Sequence, residues 1–330
     1  MNASLNPIIT IEQLVGYSDA IIAEVEKAVV GKTTILKQLL AVFLSRGGHV
    51  LIEDYPGLAK TLIANSFATA LGLKFKRIQF TPDLLPGDIT GGYIYDNSQN
   101  TFVLRQGPVF TNILLADEIN RASPKTQSAL LEAMQEYHVT LEGNTLELAD
   151  PFVVVATQNP IEYEGTFPLP EAQLDRFIVK LHVGYPTVEQ ELEIVERRKR
   201  RKMDVTLLNA VVSAEEFGAM RAFTEEVYVH PDVQRYMVEL VANTRDHRQV
   251  AVGASPRASL ALLKLTRAWA AIHGRKYVVP DDVKLFAMEA LSHRIILEPS
   301  LWGSKTTEET VINEVLQSMD VPVVPIPNEQ

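Results

Sequence analysis

Two adjacent carboxylates, Asp117 and Glu118, close the apolar run Asn112-Ile113-Leu114-Leu115-Ala116, and upstream Lys60 and Thr61 come shortly after another, His49-Val50-Leu51-Ile52. A lysine that grips phosphate, an aspartate on the metal side and a glutamate that activates water are the working parts of a nucleoside triphosphatase. Two carboxylates after so apolar a run are costly to bury unless a cation or a partner compensates them. Thr61 and Asp117 are therefore read as holding Mg2+, directly or through water, and Glu118 as polarising the attacking water. Asn159, two residues beyond Thr157, is a candidate to orient that water or sense the γ-phosphate. Alone, an asparagine before proline is more often a turn residue.

The strict phosphate-loop pattern G-x-x-x-x-G-K-[ST] is half met, because Asp54 stands at its first glycine and Ala59 at its second. The chemistry needs backbone N–H groups that wrap a β-phosphate at a helix N-terminus, with a point charge beside them. Pro56-Gly57 supplies the turn and Lys60 the charge, so Pro56, Gly57, Leu58, Ala59, Lys60, Thr61 and Leu62 form the candidate ATP-binding loop. Asp54 would place a carboxylate close to the phosphates' path. Gly31-Lys32-Thr33-Thr34 looks like the tail of a second phosphate loop, but no strand feeds it and Glu26 holds the first-glycine position. Its better role is an interhelical turn in which Val30 and Gly31 close over adenine.

Two arginines stand apart from these motifs. Arg176, in Leu174-Asp175-Arg176-Phe177, precedes an apolar strand and is placed to project from the domain edge. The alternative is an ion pair with Asp175. Arg257, in Ala254-Ser255-Pro256-Arg257, starts a helix, where positive charge opposes the helix dipole and hints at an anion outside it.

Such residues work together only if a sheet positions them. In open α/β sheets ligands bind where parallel strands end. Helical spacing runs from Ile11 to Val30, with Leu14, Ile21, Ile22, Val25 and Val29 on one side, and a second helix covers Ile35 to Leu44. Strands are expected at 49–52, 75–80, 112–116, 152–156 and 177–181, with helices at 62–71 and 125–136. Residues 81 to 110, punctuated by Pro82, Pro86, Gly91, Gly92 and Gly107, read as an inserted hairpin. Beyond Pro186 helical periodicity dominates to about Met319, and the tail 321–327 has too much proline for a helix. The division is an α/β nucleotide-binding domain over residues 1–186 and a helical domain over 187–330.

With 46% hydrophobic residues the chain can fill two cores. A net charge of -10 argues against a phosphate backbone as main partner, and the lack of cysteine excludes disulfides and thiolate chemistry. The start lacks a basic region and a long apolar stretch, and no run is long enough to span a bilayer. A cytoplasmic protein without stable membrane insertion is expected. The basic run 197–202 follows four glutamates on a helix and reads as a solvated helix end, and His293 reads as structural.

The order of Gly57 to Thr61, Asp117-Glu118-Ile119-Asn120-Arg121-Ala122, Ala156-Thr157-Gln158-Asn159-Pro160 and Glu171-Ala172-Gln173-Leu174-Asp175-Arg176-Phe177 closely resembles the MoxR family of AAA+ ATPases. The match covers about residues 10 to 300, and the segments 82–91, 107–110 and 128–136 are particularly specific. The resemblance implies a P-loop AAA+ core with a five-stranded parallel sheet and a helix-2 insert hairpin, followed by an all-helical lid. It also implies that Lys60 and Thr61 belong to Walker A, Asp117 and Glu118 to Walker B, Asn159 to sensor 1 and Arg257 to sensor 2. Arg176 falls on the arginine finger that reaches a neighbouring subunit's ATP, and Val30 and Gly31 fall on the turn near adenine. Members of the family usually form hexameric rings and work with von Willebrand factor A domain proteins on client complexes.

The function expected is Mg2+-dependent ATP hydrolysis, with ATP between the two domains and between subunits, driving the remodelling or maturation of a protein complex. Two other classes stay open. One is a nucleotide-gated scaffold with little turnover, which Asp54 favours; the other is a nucleic-acid motor, against which the acidity of the chain weighs.

Overall fold

The structure, a computed structural model, describes residues 9–98, 100–160, 165–301 and 306–325. Helix α1 (Ile11–Glu26) begins with a reciprocal cap, the Thr10 hydroxyl accepting from the Gln13 N–H while the Gln13 side chain accepts from the Thr10 N–H. It stops four residues short of Val30, because the chain turns over residues 27–32, with Gly31 at φ +70. Helix α2 (Thr33–Leu44) then leads into β1 (Val50–Glu53), α3 (Lys60–Ala70) and β2 (Phe75–Gln79).

The sheet is completed by β5 (Ile113–Asp117), β8 (Val153–Gln158) and β9 (Val179–Leu181) in the spatial order β2-β5-β8-β1-β9, all parallel. The register decides what the sheet can do: Gln79 lies opposite Asp117, Ala116 opposite Ala156 and Glu53 opposite Gln158. Four strands therefore finish together, and the residues that follow them share one edge. Alternate side chains serve two cores. Val50, Ile52, Leu115 and Val153 face α1 to α3, whereas Leu51, Leu114, Val154 and Ala156 face α5 (Pro124–Glu136).

Between β2 and β5 lies the expected insert, a short helix α4 (Pro86–Thr90) and the antiparallel hairpin β3 (Gly91–Asp96) and β4 (Thr101–Gln106). Its base is tight: a Cβ on Gly107 would lie 2.2 Å from the Ile89 carbonyl oxygen. A second hairpin, β6 (His138–Leu141) and β7 (Asn144–Glu147), was not expected from the sequence. Glu142 and Gly143 at its tip both have positive φ, as a two-residue turn of the favoured hand requires. The short α6 (Glu171–Leu174) precedes β9.

The C-terminal part contains α7 (Val188–Arg201), α8 (Ala214–Glu225), α9 (Pro231–Arg245), α10 (Pro256–Ile272), α11 (Pro280–Leu291) and α12 (Glu308–Ser318). It also holds a small ribbon, β10 (Val250–Val252) paired with β11 (Ile296–Leu297), so it is not wholly helical. Helix α10 packs on α1 and α2 as well as on α8, α9 and α11, and one buried core runs from α1 through one sheet face to α12. The helical part thus rests on the first two helices. Residues 321–325 of the proline-rich tail are non-helical; 326 and 327 lie outside the described residues. Among the described residues no helix is long and apolar enough to cross a membrane.

Candidate active site

The loop from β1 to α3 turns at Gly57 (φ +84) and at Ala59 (φ +57), the residue before α3 begins. A left-handed alanine costs roughly 1–2 kcal/mol, the kind of local strain that surrounding structure must hold in place. Lys60 opens the helix, and its Nζ donates to the Asp54 carbonyl at 2.5 Å. Burial lowers the pKa of this ammonium, while Asp54, Asp117 and Glu118 act in the opposite direction. A half-buried cation thus waits at a helix N-terminus, the arrangement that receives phosphate.

The Asp54 side chain is turned towards the chain that leaves β9. Its buried carboxylate accepts the Val183 N–H and, at 3.4 Å, the Gly184 N–H, which ties the end of β1 to the chain leaving β9. The same exit segment closes over the interhelical turn. Lys32 Nζ donates to the Tyr185 carbonyl at 3.0 Å, Gln190 Nε2 donates to the Gly31 carbonyl at 3.1 Å, and the Tyr55 and Tyr185 rings lie 5.9 Å apart. Val30 and Gly31 therefore sit beside the phosphate loop, with Val30 buried. Leu58 is buried, and Leu62 is exposed.

Asp117 ends β5, with its side chain 13% exposed. Its Oδ1 accepts from the Thr157 hydroxyl at 2.6 Å, and that hydroxyl in turn accepts the Glu118 N–H at 2.8 Å. Arg77 Nη2 donates to Oδ2 at 2.7 Å. Glu118 holds the left-handed conformation (φ +56), and its carboxylate accepts from Gln79 Nε2 at 2.6 Å and Arg121 Nη1 at 3.0 Å. Asn159, buried one residue beyond β8, lies between the ends of β5 and β1. Among the described residues no cluster of three histidines or acids offers a metal cage. Thr61, the second residue of α3, offers a hydroxyl and Asp117, at the end of β5, a single carboxylate; such oxygen donors suit Mg2+, which takes hard ligands and completes its shell from substrate phosphates and water.

Arg176 and Arg257 lie elsewhere. Arg176 precedes β9, so in a parallel sheet it stands at the edge opposite the phosphate loop. It shares a cavity of about 250 Å³ there with His49, Tyr137, Arg257 and Lys264. Burial lowers the Arg176 pKa, and Arg257 adds to that. The alternative reading of Arg176, an ion pair with Asp175, is not seen: Asp175 accepts from Arg294 Nε at 2.9 Å and faces Arg257 at 3.7 Å. Arg257 was expected at sensor 2, with ATP between the two domains and between subunits. Helix α10 rests on α1 and α2, so Arg257 stands beside Arg176 at the sheet edge away from Lys60.

The sequence matches the profile of the "ATPase family associated with various cellular activities (AAA)" over residues 49–179 and that of the "AAA lid domain" over 242–315. It is 45% identical to Chaperone MoxR1 of Mycobacterium tuberculosis over 314 residues, covering 92% of this chain and 82% of that one. The chain belongs to the MoxR family of AAA+ ATPases. The Bacillus subtilis protein YeaC, another relative, is 46% identical across 92% of this chain and 94% of its own. A crystal structure of a protein from Cytophaga hutchinsonii superposes with a TM-score of 0.87 at 40% identity, covering 94% of this chain and 98% of that one.

For a MoxR-family chain, the residues the sequence left unassigned are the polar partners of the acids. Gln79 and Arg77 come from β2, Thr157 from β8 and Arg121 from the turn after β5. Thr157 had a signal, being the polar residue directly after the run Val153 to Ala156 and two before Asn159. Gln79 and Arg77 emerge only once β2 is known to neighbour β5, whereas Arg121 stands three residues after Glu118.

Proposed function

We propose that this protein is a Mg2+-dependent ATPase that works as a homo-oligomeric ring and remodels or matures a protein client. The observation that carries the reading is that Lys60, Asp117, Glu118 and Asn159 lie at the ends of adjacent strands while Arg176 and Arg257 lie at the opposite edge. A single chain then presents the two halves of a site on different faces, and a second copy brings them together. Residues 1–186 form the ATP-binding domain and 187–330 the lid in this reading.

In the assembled site the α3 N-terminus and Lys60 hold the β- and γ-phosphates, and Val30, Gly31 and the Tyr185 segment enclose the base. Thr61 and Asp117 hold Mg2+, which when bound neutralises charge on the phosphate oxygens. Glu118, released from Gln79 and Arg121, takes the proton of the attacking water, and Asn159 orients that water. Arg176 of the neighbouring copy meets the charge that develops on the γ-phosphate, and Arg257 beside it adds a second cation from the same side.

A relative named a chaperone supports a protein client, and a von Willebrand factor A domain protein is the partner class we favour. The cytoplasm is the compartment that fits an ATP-driven reaction. The engagement of the Asp54 carboxylate with Val183 and Gly184 supports turnover over the scaffold reading. Glu118→Gln tests the proposal: ATP binding persists while turnover falls by at least about a hundredfold, as general-base contributions span about 10² to 10⁴. Loss of binding together with turnover would make Glu118 a structural residue.

A further inference from the structure

Arg176 is a poorly anchored side chain on a firmly anchored backbone. Its Nε is buried without a hydrogen-bond partner among the described residues, so its own contacts do not fix its pose. The backbone around it is held by Arg294, which lies in the turn after α11, 119 residues from Asp175 in sequence. The Arg294 side chain is 3% exposed. Its Nη2 donates to the carbonyls of Asp175 at 3.3 Å and Phe177 at 2.7 Å, and Nη1 to those of Ile178 at 3.4 Å and Ala290 at 2.7 Å. With Nε on the Asp175 carboxylate, the five donors of this guanidinium all have acceptors, and the contacted carbonyls flank Arg176 on both sides.

Asp175 extends the clamp to a second element of the lid. Ser255, the N-cap of α10, donates its hydroxyl to Asp175 at 2.9 Å, and Arg257 of the same helix lies 3.7 Å from the carboxylate. The chain segment that carries Arg176 is therefore fastened to the lid at two points, the start of α10 and the end of α11. On the sheet side it runs into the short strand β9, the Ile178 N–H donates to the His49 carbonyl, and Phe177 is buried on the α5 face of the sheet.

We infer that Asp175 and Arg294 are positioning residues for Arg176, through which the helical domain sets where that arginine is presented to a second copy of this chain. The inference rests on the trans role proposed above for Arg176. Because the clamp joins the arginine to the lid, a change in lid angle moves the arginine with it. Opening at one nucleotide site then alters the charge offered to the next.

The test uses the full chain carrying Asp175→Asn, which keeps the shape of the side chain and removes the charge opposite Arg294 and Arg257. ATP affinity stays within about twofold, because the phosphate loop is untouched, and kcat falls at least about tenfold, a fraction of the 10³ to 10⁵ that such an arginine contributes. Mixed with Lys60→Ala, which keeps an intact Arg176, the variant regains activity; mixed with Arg176→Ala it does not. Full turnover by a folded Asp175→Asn protein overturns the inference, and so does low turnover that Lys60→Ala does not restore although it restores Arg176→Ala. If Arg176→Ala itself is not restored, the trans role fails and the inference falls with it. Should Asp175→Asn not fold, Ser255→Ala removes one hydroxyl of the same clamp and is held to the same outcomes.

Discussion

His49 shows how one residue is fixed by its bonds. It is buried where β1 begins, its Nδ1 accepting the Val154 N–H and its Nε2 donating to the Met134 carbonyl, both at 3.0 Å. A second proton would have to sit on Nδ1 facing an N–H. Desolvation, with help from Lys264 and Arg221, lowers its pKa to about 4. The folded ring therefore stays neutral while an unfolded histidine, near pH 6.5, takes up a proton. Because the unfolded state binds more protons, stability falls as pH drops from about 6.5 to 4, by about 3 kcal/mol from this residue, and levels off below. His293, also buried, is pushed in the same direction by burial and Arg294. An NMR titration checks the claim: His49 carbon shifts stay flat from pH 8 to about pH 5.5, and a midpoint near 6.5 would contradict it.

At the scale of elements, the strands and their ends were legible because buried parallel strands are short apolar runs and the acids stand where those runs stop. What the runs did not carry was side-chain direction and spatial order. Asp54 looked like an obstacle to phosphate since only the structure brings Val183 and Gly184 to it. Asp54→Asn should thus leave ATP affinity within a few-fold of wild type, while the weakened acceptor for two backbone donors lowers stability by about 1–3 kcal/mol. Calorimetry paired with urea denaturation separates these outcomes; affinity raised tenfold would return the carboxylate to the phosphates. The hairpin β6–β7 has only a weak sequence signature, because Glu142-Gly143 is a weaker turn signal than Asn-Gly, although Val139, Leu141, Leu146 and Leu148 alternate around it. The ribbon β10–β11 joins strands of two or three residues separated by two helices, which no local pattern reveals.

For the whole molecule, the proposed mechanism rests on where the lid packs. Its helices are visible in the sequence, but their packing on α1 and α2 is not, and that packing moves Arg257 away from its own phosphate loop to stand with Arg176. In the function proposed above, one face carries Lys60 and the acids, the other Arg176 and Arg257, and neither alone is a complete site. The most direct measurement is the ATPase rate of Lys60→Ala and Arg176→Ala, separately and mixed. Lys60→Ala loses ATP binding and Arg176→Ala keeps it, and each is inactive alone. In a random ring of independent interfaces, about a quarter of the contacts pair an intact loop with an intact arginine, so mixing restores up to about a quarter of the wild-type rate. Mixed rings that assemble and stay inactive, or an Arg176→Ala protein with wild-type turnover, would contradict the account.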